Sequence, residues 1–286
     1  MKRNHLPVFL FAAITLALTI TAPAQNSNTN PLGSFSFDFK RLGKKPAEQV
    51  RSLKKIGFSG ATLTFGEDFK AFSKEVKTGD FKIYAAHKAL HIGRKTKFNS
   101  QQISRAVDQV KSVNADFWLI ILEKKGDKAS TALLLETINK VAAICAKKGV
   151  RCVLYPHDNT LMESAEDTIE ILKKSKRKDL FISFHLCHEI RAGNGNRLTE
   201  VAKKVKPYLR LASISGANTK YVDSSQDWSK TIQPLDMGTY DTFKFIEALQ
   251  SINYKGPIIL HTFALDKVAA DHHQRSFKKY QELFSK

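Results

Sequence analysis

The sequence contains little cysteine. Only three of its 286 residues are cysteines, at Cys145, Cys152 and Cys187, and none stands in a Cys-x-x-Cys spacing. An odd number without that spacing excludes a disulfide framework. We therefore predict that each cysteine is a small buried hydrophobe.

Long apolar runs are also scarce. The basic segment MKRNH is followed by a 15-residue apolar run, LPVFLFAAITLALTI, and by the small-residue pattern Ala22-Pro23-Ala24. This order is typical of a secretory signal peptide, and the run is short for a membrane anchor, which needs about 20 residues. We predict a signal peptide over 1–24, a polar linker over 25–34, and a periplasmic or secreted protein. No later stretch is apolar enough to span a membrane.

Acidic residues are fewer than basic residues. The chain has 27 Asp and Glu against 46 Lys and Arg, a formal net charge of +19. Such a charge can attract nucleic acid, anionic lipid or acidic polysaccharide. The basic residues, however, are spread over helical segments and lack the interleaved aromatic residues that single-strand binders use. We expect a solvated basic surface and no nucleic-acid partner.

After residue 34, short β-rich runs alternate with amphipathic helical runs. The β-rich runs are SFSFDFK, ATLTFG, KIYAAHK, FWLIILEK, RCVLYPH, FISFHLCH, LRLASISGA and PIILHTF. This alternation predicts parallel strands joined by right-handed crossovers, and eight units predict a single α/β domain, a (β/α)8 TIM barrel, over 35–286. An open doubly wound sheet is less favoured, because no glycine-rich phosphate motif follows the first strand.

Active sites of this fold lie at the C-terminal ends of the strands. Five of the nine histidines stand at such ends. The polar residues there are Asp38, His87, Lys88, Glu123, Tyr155, His157, His185, His188, Ser213, Ser215, Asn218 and His261. Because side chains alternate along a strand, we expect four of them to point into the barrel and His188 to lie at the rim. The four are Tyr155, His157, His185 and His261.

Several motifs resemble the sugar phosphate isomerase/epimerase family, which belongs to the xylose isomerase-like TIM barrel superfamily. They are VLYPH, ISFHLCHEIRAGN, ASISGAN, IQPLDMGTYDTFKFIEALQSINYKGPIIL and DHHQRSFKKYQELF. The resemblance covers 35–284. It implies a divalent metal held by Glu, Asp, His and Glu from four strand ends, and two carboxylates that move a proton through an enediolate.

The chain departs from this family pattern at the metal. By motif alignment, the positions of the four family ligands are taken by Tyr155, His185, Ser213 and His261. Two family histidines that follow the first two ligands are retained as His157 and His188. The usual carboxylate cage is therefore absent.

Three hypotheses remain open at this point. In the first, histidines form a replacement site for one divalent metal (Zn, Mn, Ni or Fe), with His185 and His261 as ligands. In the second, no metal binds, and side chains act directly on a sugar as acids, bases and substrate ligands. The catalytic candidates are then His157, His188, Glu123 and Lys88, and the substrate-binding candidates are Asp38, His87, Tyr155 and Asn218. In the third, the barrel binds carbohydrate without turnover.

We predict an exported, carbohydrate-active enzyme that abstracts a proton next to a sugar carbonyl. The reaction would be isomerisation, epimerisation or elimination from a keto sugar. A carbohydrate-binding or degenerate barrel is the alternative. An endonuclease-type activity is the weaker alternative, because its zinc cluster needs carboxylates where Tyr155 and His261 stand.

Overall fold

The structure is a computed structural model of the chain. It describes residues 29–76, 79–92, 98–122, 128–219, 227–265 and 267–285. The predicted signal peptide and Glu123 lie outside these residues.

Eight parallel strands close into one barrel and follow each other around it in chain order. They are β1 (Leu32–Phe35), β2 (Gly60–Thr64), β3 (Lys82–Leu90), β4 (Asp116–Ile121), β5 (Cys152–Leu154), β6 (Leu180–His185), β7 (Leu209–Ile214) and β8 (Ile258–Leu260). The ring closes where β1 pairs with β8, with Ser34 opposite Leu260. The predicted (β/α)8 barrel is confirmed.

Helices alternate with these strands. The α-helices are α1 (Pro46–Ile56), α2 (Glu67–Val76), α3 (Ser100–Lys111), α4 (Lys128–Lys147), α5 (Ala165–Ser175), α6 (Leu186–Arg191), α7 (Leu198–Val205), α8 (Phe243–Ser251) and α9 (His272–Leu283). Local sequence explains several ends: α1 starts at Pro46 and stops at Gly57, whose φ of 119° suits glycine. Within the described ranges, no helix is long and apolar enough to cross a bilayer.

The first strand differs from its β-rich run. It begins at Leu32, inside the predicted linker, and ends at Phe35, after which Ser36–Arg41 forms a 3₁₀-helix. All of β1 is buried, because it pairs with β2 on one side and β8 on the other. The alternation of side chains between the two faces of the strand therefore stops at Phe35. Asp38 does not lie where a longer strand would have placed it.

Two apolar cores lie on the two sides of the barrel wall. The larger fills the layer between strands and helices. The smaller fills the barrel itself and includes Phe35, Trp118 and Tyr155 near the mouth. The barrel is thus closed below its C-terminal mouth by aromatic side chains. The three cysteines are free and buried, as predicted.

Candidate active site

A pocket of about 190 Å³ opens at the C-terminal mouth of the barrel. Its polar lining consists of one tyrosine and four histidines, namely Tyr155, His87, His157, His188 and His261. The rest of the lining is aromatic and aliphatic. A concave, mostly apolar site with a few convergent polar groups is typical of small-molecule pockets. Four of the predicted strand-end histidines thus share one cavity.

His157 and His188 hold opposite tautomers, because both bond to the backbone of Asp158. The His157 Nδ1 atom lies 2.9 Å from the Asp158 carbonyl oxygen, which only accepts, so Nδ1 carries the proton. The Asp158 backbone N–H donates to His188 Nδ1 over 3.2 Å, so neutral His188 carries its proton on Nε2. Nε2 of His157 is therefore an acceptor, and Nε2 of His188 is a donor.

Both Nε2 atoms remain available to a ligand. His188 Nε2 is buried and has no hydrogen-bond partner among the described residues. The two rings lie 4.7 Å apart between centroids. A base and a hydrogen-bond donor consequently stand side by side on one wall of the pocket.

Asp158 is itself held in place by Arg191. The guanidinium Nε donates to Asp158 Oδ2 over 2.7 Å, and both side chains are largely buried. The same guanidinium lies over the Trp228 ring, 4.3 Å from its centroid. Arg191 thus fixes the residue that sets both histidine tautomers.

His261 and Tyr155 form a second polar pair. The Phe263 backbone N–H donates to His261 Nδ1 over 3.4 Å, which places the proton of a neutral ring on Nε2. That Nε2–H donates to the Tyr155 hydroxyl oxygen over 3.1 Å. The hydroxyl proton of Tyr155 is then free to bond a ligand oxygen.

His87 lines the pocket without any polar contact in the described part of the chain. Both of its ring nitrogens are buried and lack a hydrogen-bond partner. Unpaired buried polar atoms are uncommon in folded proteins and ask for an explanation such as a ligand. His87 is therefore the clearest candidate for a substrate contact.

Burial keeps the pocket histidines neutral. Desolvation is the largest cause that lowers the pKa of His87 to about 4, of His261 to about 3, of His188 well below its usual value, and of His157 to a lesser extent. Neighbouring imidazoles lower the pKa of the first three further, because like charges repel. A neutral imidazole is the form that accepts a proton at one nitrogen and donates at the other.

The stretch FHLCHE divides its side chains between pocket, core and helix end. His188 lines the pocket, whereas Cys187 packs with Ile232 and Leu265. Glu189 is buried and accepts hydrogen bonds from the Ala165 backbone N–H and the Asn194 amide, each over 2.7 Å. Glu189 thus caps the start of α5.

His185, the first histidine of that stretch, lies one layer below the pocket. Its Nε2 lies 2.7 Å from the Ser183 hydroxyl, and its Nδ1 lies 2.8 Å from the Ser213 hydroxyl. The ring stacks on Tyr155 at 4.0 Å between centroids. His185 points into the barrel as expected, but both nitrogens are occupied, and it does not line the cavity.

Three further candidates are not brought to the pocket. On β3, His87 and Ala89 face the cavity, so Lys88 points to the opposite side of the strand. Asn218 uses its backbone N–H to bond the Lys230 carbonyl and is not part of the lining. Asp38 is buried against His272 in the layer outside the barrel. Glu123 lies outside the described residues.

Sequence reasoning missed the aromatic walls. Phe37 and Phe263 line the pocket, remain 40% and 39% exposed, and pack edge to face at 5.1 Å. Phe37 stands two residues after Phe35, and Phe263 two residues after His261, and both of these earlier rings face inward. This spacing could have predicted the two phenylalanines. Trp228 lies on a short 3₁₀-helix, and its ring centroid is 5.4 Å from that of His188. No local sequence pattern predicts that Trp228 lines the pocket.

The described residues of the pocket do not fit the hard divalent ion that the family resemblance implies. Cys187, His188 and His261 offer ligand atoms within 4.8 Å of one another, but the set contains no carboxylate. Burial raises the pKa of the Cys187 thiol to about 12, which opposes the thiolate that a metal binds. Of the two predicted ligands, only His261 belongs to this set.

Comparison with known proteins identifies the family to which this chain belongs. The family model described as xylose isomerase-like TIM barrel matches residues 50–280. The chain belongs to that family. The predicted resemblance is confirmed, while a search of the curated proteins finds no match.

Solved structures agree on the fold. The apo 3-keto-D-glucoside 4-epimerase from E. coli is 13% identical, with a TM-score of 0.70 over 89% of this chain and 100% of that one. The probable 3-DHS dehydratase from Bacillus anthracis is 15% identical, with a TM-score of 0.69 over 86% and 97%. The IolI protein with a zinc atom is 13% identical, with a TM-score of 0.72 over 89% and 98%.

Proposed function

We propose that this protein is an exported, carbohydrate-active enzyme of the isomerase and epimerase type, which abstracts a proton next to a sugar carbonyl. The observation that carries the proposal is the pair of opposite tautomers at His157 and His188. A reaction of this class needs a base for the proton and a donor for the carbonyl oxygen. The pocket presents both on adjacent rings.

In the first step, His157 Nε2 removes the proton from the carbon next to the carbonyl. The electron pair of that C–H bond forms an enolate, and its oxygen accepts a hydrogen bond from His188 Nε2–H. A neutral imidazole is a suitable donor for this purpose because it does not lose its proton to the enolate. The imidazolium formed at His157 donates through Nδ1 to the Asp158 carbonyl, which stabilises it.

The fate of the enolate decides the product. When the enolate turns over in the pocket, return of the proton from His157 to the opposite face of the same carbon gives an epimer. Return to the former carbonyl carbon, with the hydroxyl proton of the first carbon passing to the former carbonyl oxygen, gives an isomer. Loss of a substituent from the next carbon, with its electron pair, gives elimination. In each case His157 ends the cycle neutral, because it returns its proton to the product or to the leaving group.

The remaining lining suits a sugar. Phe37, Trp228 and Phe263 offer apolar faces for the C–H side of a pyranose, while His87 and the Tyr155 hydroxyl offer polar contacts for its hydroxyl groups. The cavity of about 190 Å³ can hold a single sugar ring. Two structural neighbours are named as an epimerase of a keto-glucoside and as a probable dehydratase. These names support the same class of chemistry.

Proton exchange tests this proposal. A 3-keto-D-glucoside is incubated with the protein in D₂O, and deuterium entering next to the carbonyl is followed by NMR. Wild-type protein should accelerate exchange, whereas His157→Gln and His188→Gln should lower the rate about 10²–10⁴-fold. Lys88→Gln, whose side chain points away from the cavity, should exchange at the wild-type rate.

A non-catalytic sugar-binding barrel is the second candidate, favoured by the aromatic walls. It predicts that the keto-glucoside protects the protein against thermal unfolding without any accelerated exchange. Exchange that persists in His157→Gln would instead show that another group is the base.

A further inference from the structure

A second polar cluster lies outside the pocket, between the first strand and the last helix. Asp38 comes from the 3₁₀-helix after β1, and His272 and His273 begin α9. The three residues are at most 4% exposed. One potential ligand atom from each lies within 4.8 Å of the other two.

The contacts within this cluster leave one carboxylate oxygen and the Nδ1 atom of each histidine without a partner among the described residues. His272 Nε2 bonds to Asp38 Oδ2, while His273 Nε2 lies 3.7 Å from Asp38 Oδ1 and 3.1 Å from the Ser34 hydroxyl oxygen. Asp38 Oδ1 is buried and has no hydrogen-bond partner among the described residues. Leaving a buried acceptor unpaired is costly, and more so for a charged one.

A hydrogen bond between Asp38 and His272 alone does not account for this arrangement. It satisfies Oδ2 but leaves Oδ1 without a partner, with a second imidazole nitrogen turned toward it beyond hydrogen-bond length. Two imidazoles and one carboxylate that converge in a buried site are instead donors that zinc and related ions prefer.

We propose that Asp38, His272 and His273 bind one divalent transition-metal ion, with the Ser34 hydroxyl as a further nearby oxygen. The ion supplies the positive charge that the buried carboxylate needs and gives Oδ1 a partner. Because the cluster is closed to solvent, the site is structural and not catalytic. The proposal does not depend on the sugar chemistry of the pocket.

The placement gives the ion a mechanical role. Ser34 and Asp38 belong to the start of the barrel, whereas His272 and His273 belong to its last helix, so the ion links segments more than 230 residues apart. Pairing between β1 and β8 itself extends over only three residue pairs. A link that closes a long loop restricts the unfolded chain and so stabilises the folded one.

Metal content and thermal stability test this proposal. Untagged full-length protein is stripped of metal and titrated with Zn²⁺ alone. We expect one tightly held zinc and a rise in melting temperature of several degrees. Both effects should be lost in Asp38→Asn and His273→Gln and kept in His188→Gln, which alters the other potential ligand cluster. A zinc stoichiometry or melting temperature that responds to His188→Gln and not to His273→Gln overturns the proposal.

Cobalt substitution tests the wild-type chain, so the result does not depend on whether a variant folds. Co²⁺ bound by two imidazoles and a carboxylate shows d–d absorption without a sulfur-to-cobalt charge-transfer band. A charge-transfer band would place the metal at Cys187 and contradict the proposal, as would the absence of any tightly bound cobalt.

Discussion

His157 and His188 are bonded to opposite ends of the same residue, one to the carbonyl of Asp158 and the other to its amide N–H. Two side chains of one type thereby acquire opposite hydrogen-bonding roles. Neither role depends on a carboxylate next to the substrate. Under the proposed mechanism, the mouth of the barrel thus has a base and a hydrogen-bond donor without a carboxylate in either role.

Single substitutions of His185 and His188, which lie in two neighbouring layers of the barrel, should separate an effect on stability from an effect on function. His185→Gln loses two buried hydroxyl contacts and should lower the free energy of unfolding by about 1–3 kcal/mol. His188→Gln should cost less stability but lower the exchange rate about 10²–10⁴-fold, because its Nε2 makes no contact within the described protein. Urea unfolding and the exchange assay measure the two effects. An early-melting His188→Gln with normal exchange would contradict this assignment.

Arg191 should matter for the reaction through Asp158. Arg191→Met removes the bond to the Asp158 carboxylate and loosens the backbone that orients both histidines. We expect kcat to fall about 10–100-fold, as for other orienting partners, with a smaller change in KM. Arg197→Met is a matched control, because Arg197 pairs with Glu166 and Glu200 on the surface and should leave kcat unchanged. Equal losses in both variants would argue against a positioning role.

Stability should decline in mild acid because of the pocket histidines. Burial lowers the pKa of His87 from 6.5 to about 4, so the unfolded chain binds a proton at this residue between these values while the folded chain does not. The contribution of neutral His87 to the free energy of unfolding is fully present above pH 6.5 and is lost as the pH falls toward 4. The loss is on the order of 3 kcal/mol.

Unfolding free energies of wild type and His87→Gln at pH 7 and pH 4.5 test this expectation. The variant should lose less stability than wild type between the two values. His261, whose pKa burial lowers to about 3, should contribute with the same sign. An unchanged slope in His87→Gln would show that this ring titrates normally in the folded protein.

The N-terminal segment leads to a prediction about processing. Cleavage after Ala24 should release a mature chain that begins at Gln25, because Ala22-Pro23-Ala24 supplies the small residues that the signal peptidase requires. Intact-mass measurement of protein from the periplasm or medium gives the start directly. Ala24→Tyr should block cleavage, and recovery of exported wild-type protein that still carries residues 1–24 would contradict the prediction.

Local patterns predicted some site residues and missed others for identifiable reasons. Strand alternation predicted Tyr155, His157 and His261, which line the pocket, and His185, which lies one layer below it. His87 was predicted only from its position at a strand end, and it also lines the pocket. Lys88 fails the same rule because it stands one residue further along β3. The aromatic residue Trp228 could not be predicted, because it reaches the pocket from a connecting segment whose path depends on the whole barrel.

The sequence by itself determined the barrel, because eight alternations of apolar strand and amphipathic helix have few compact solutions other than a closed parallel sheet. It also determined that histidines gather at one end of that barrel. Only the tertiary structure decided what each histidine does, because tautomer, burial and hydrogen-bond partner depend on contacts between distant segments. Asp38 illustrates this difference: strand counting placed it at the mouth, but the early end of β1 turns it toward His272, 234 residues away along the chain.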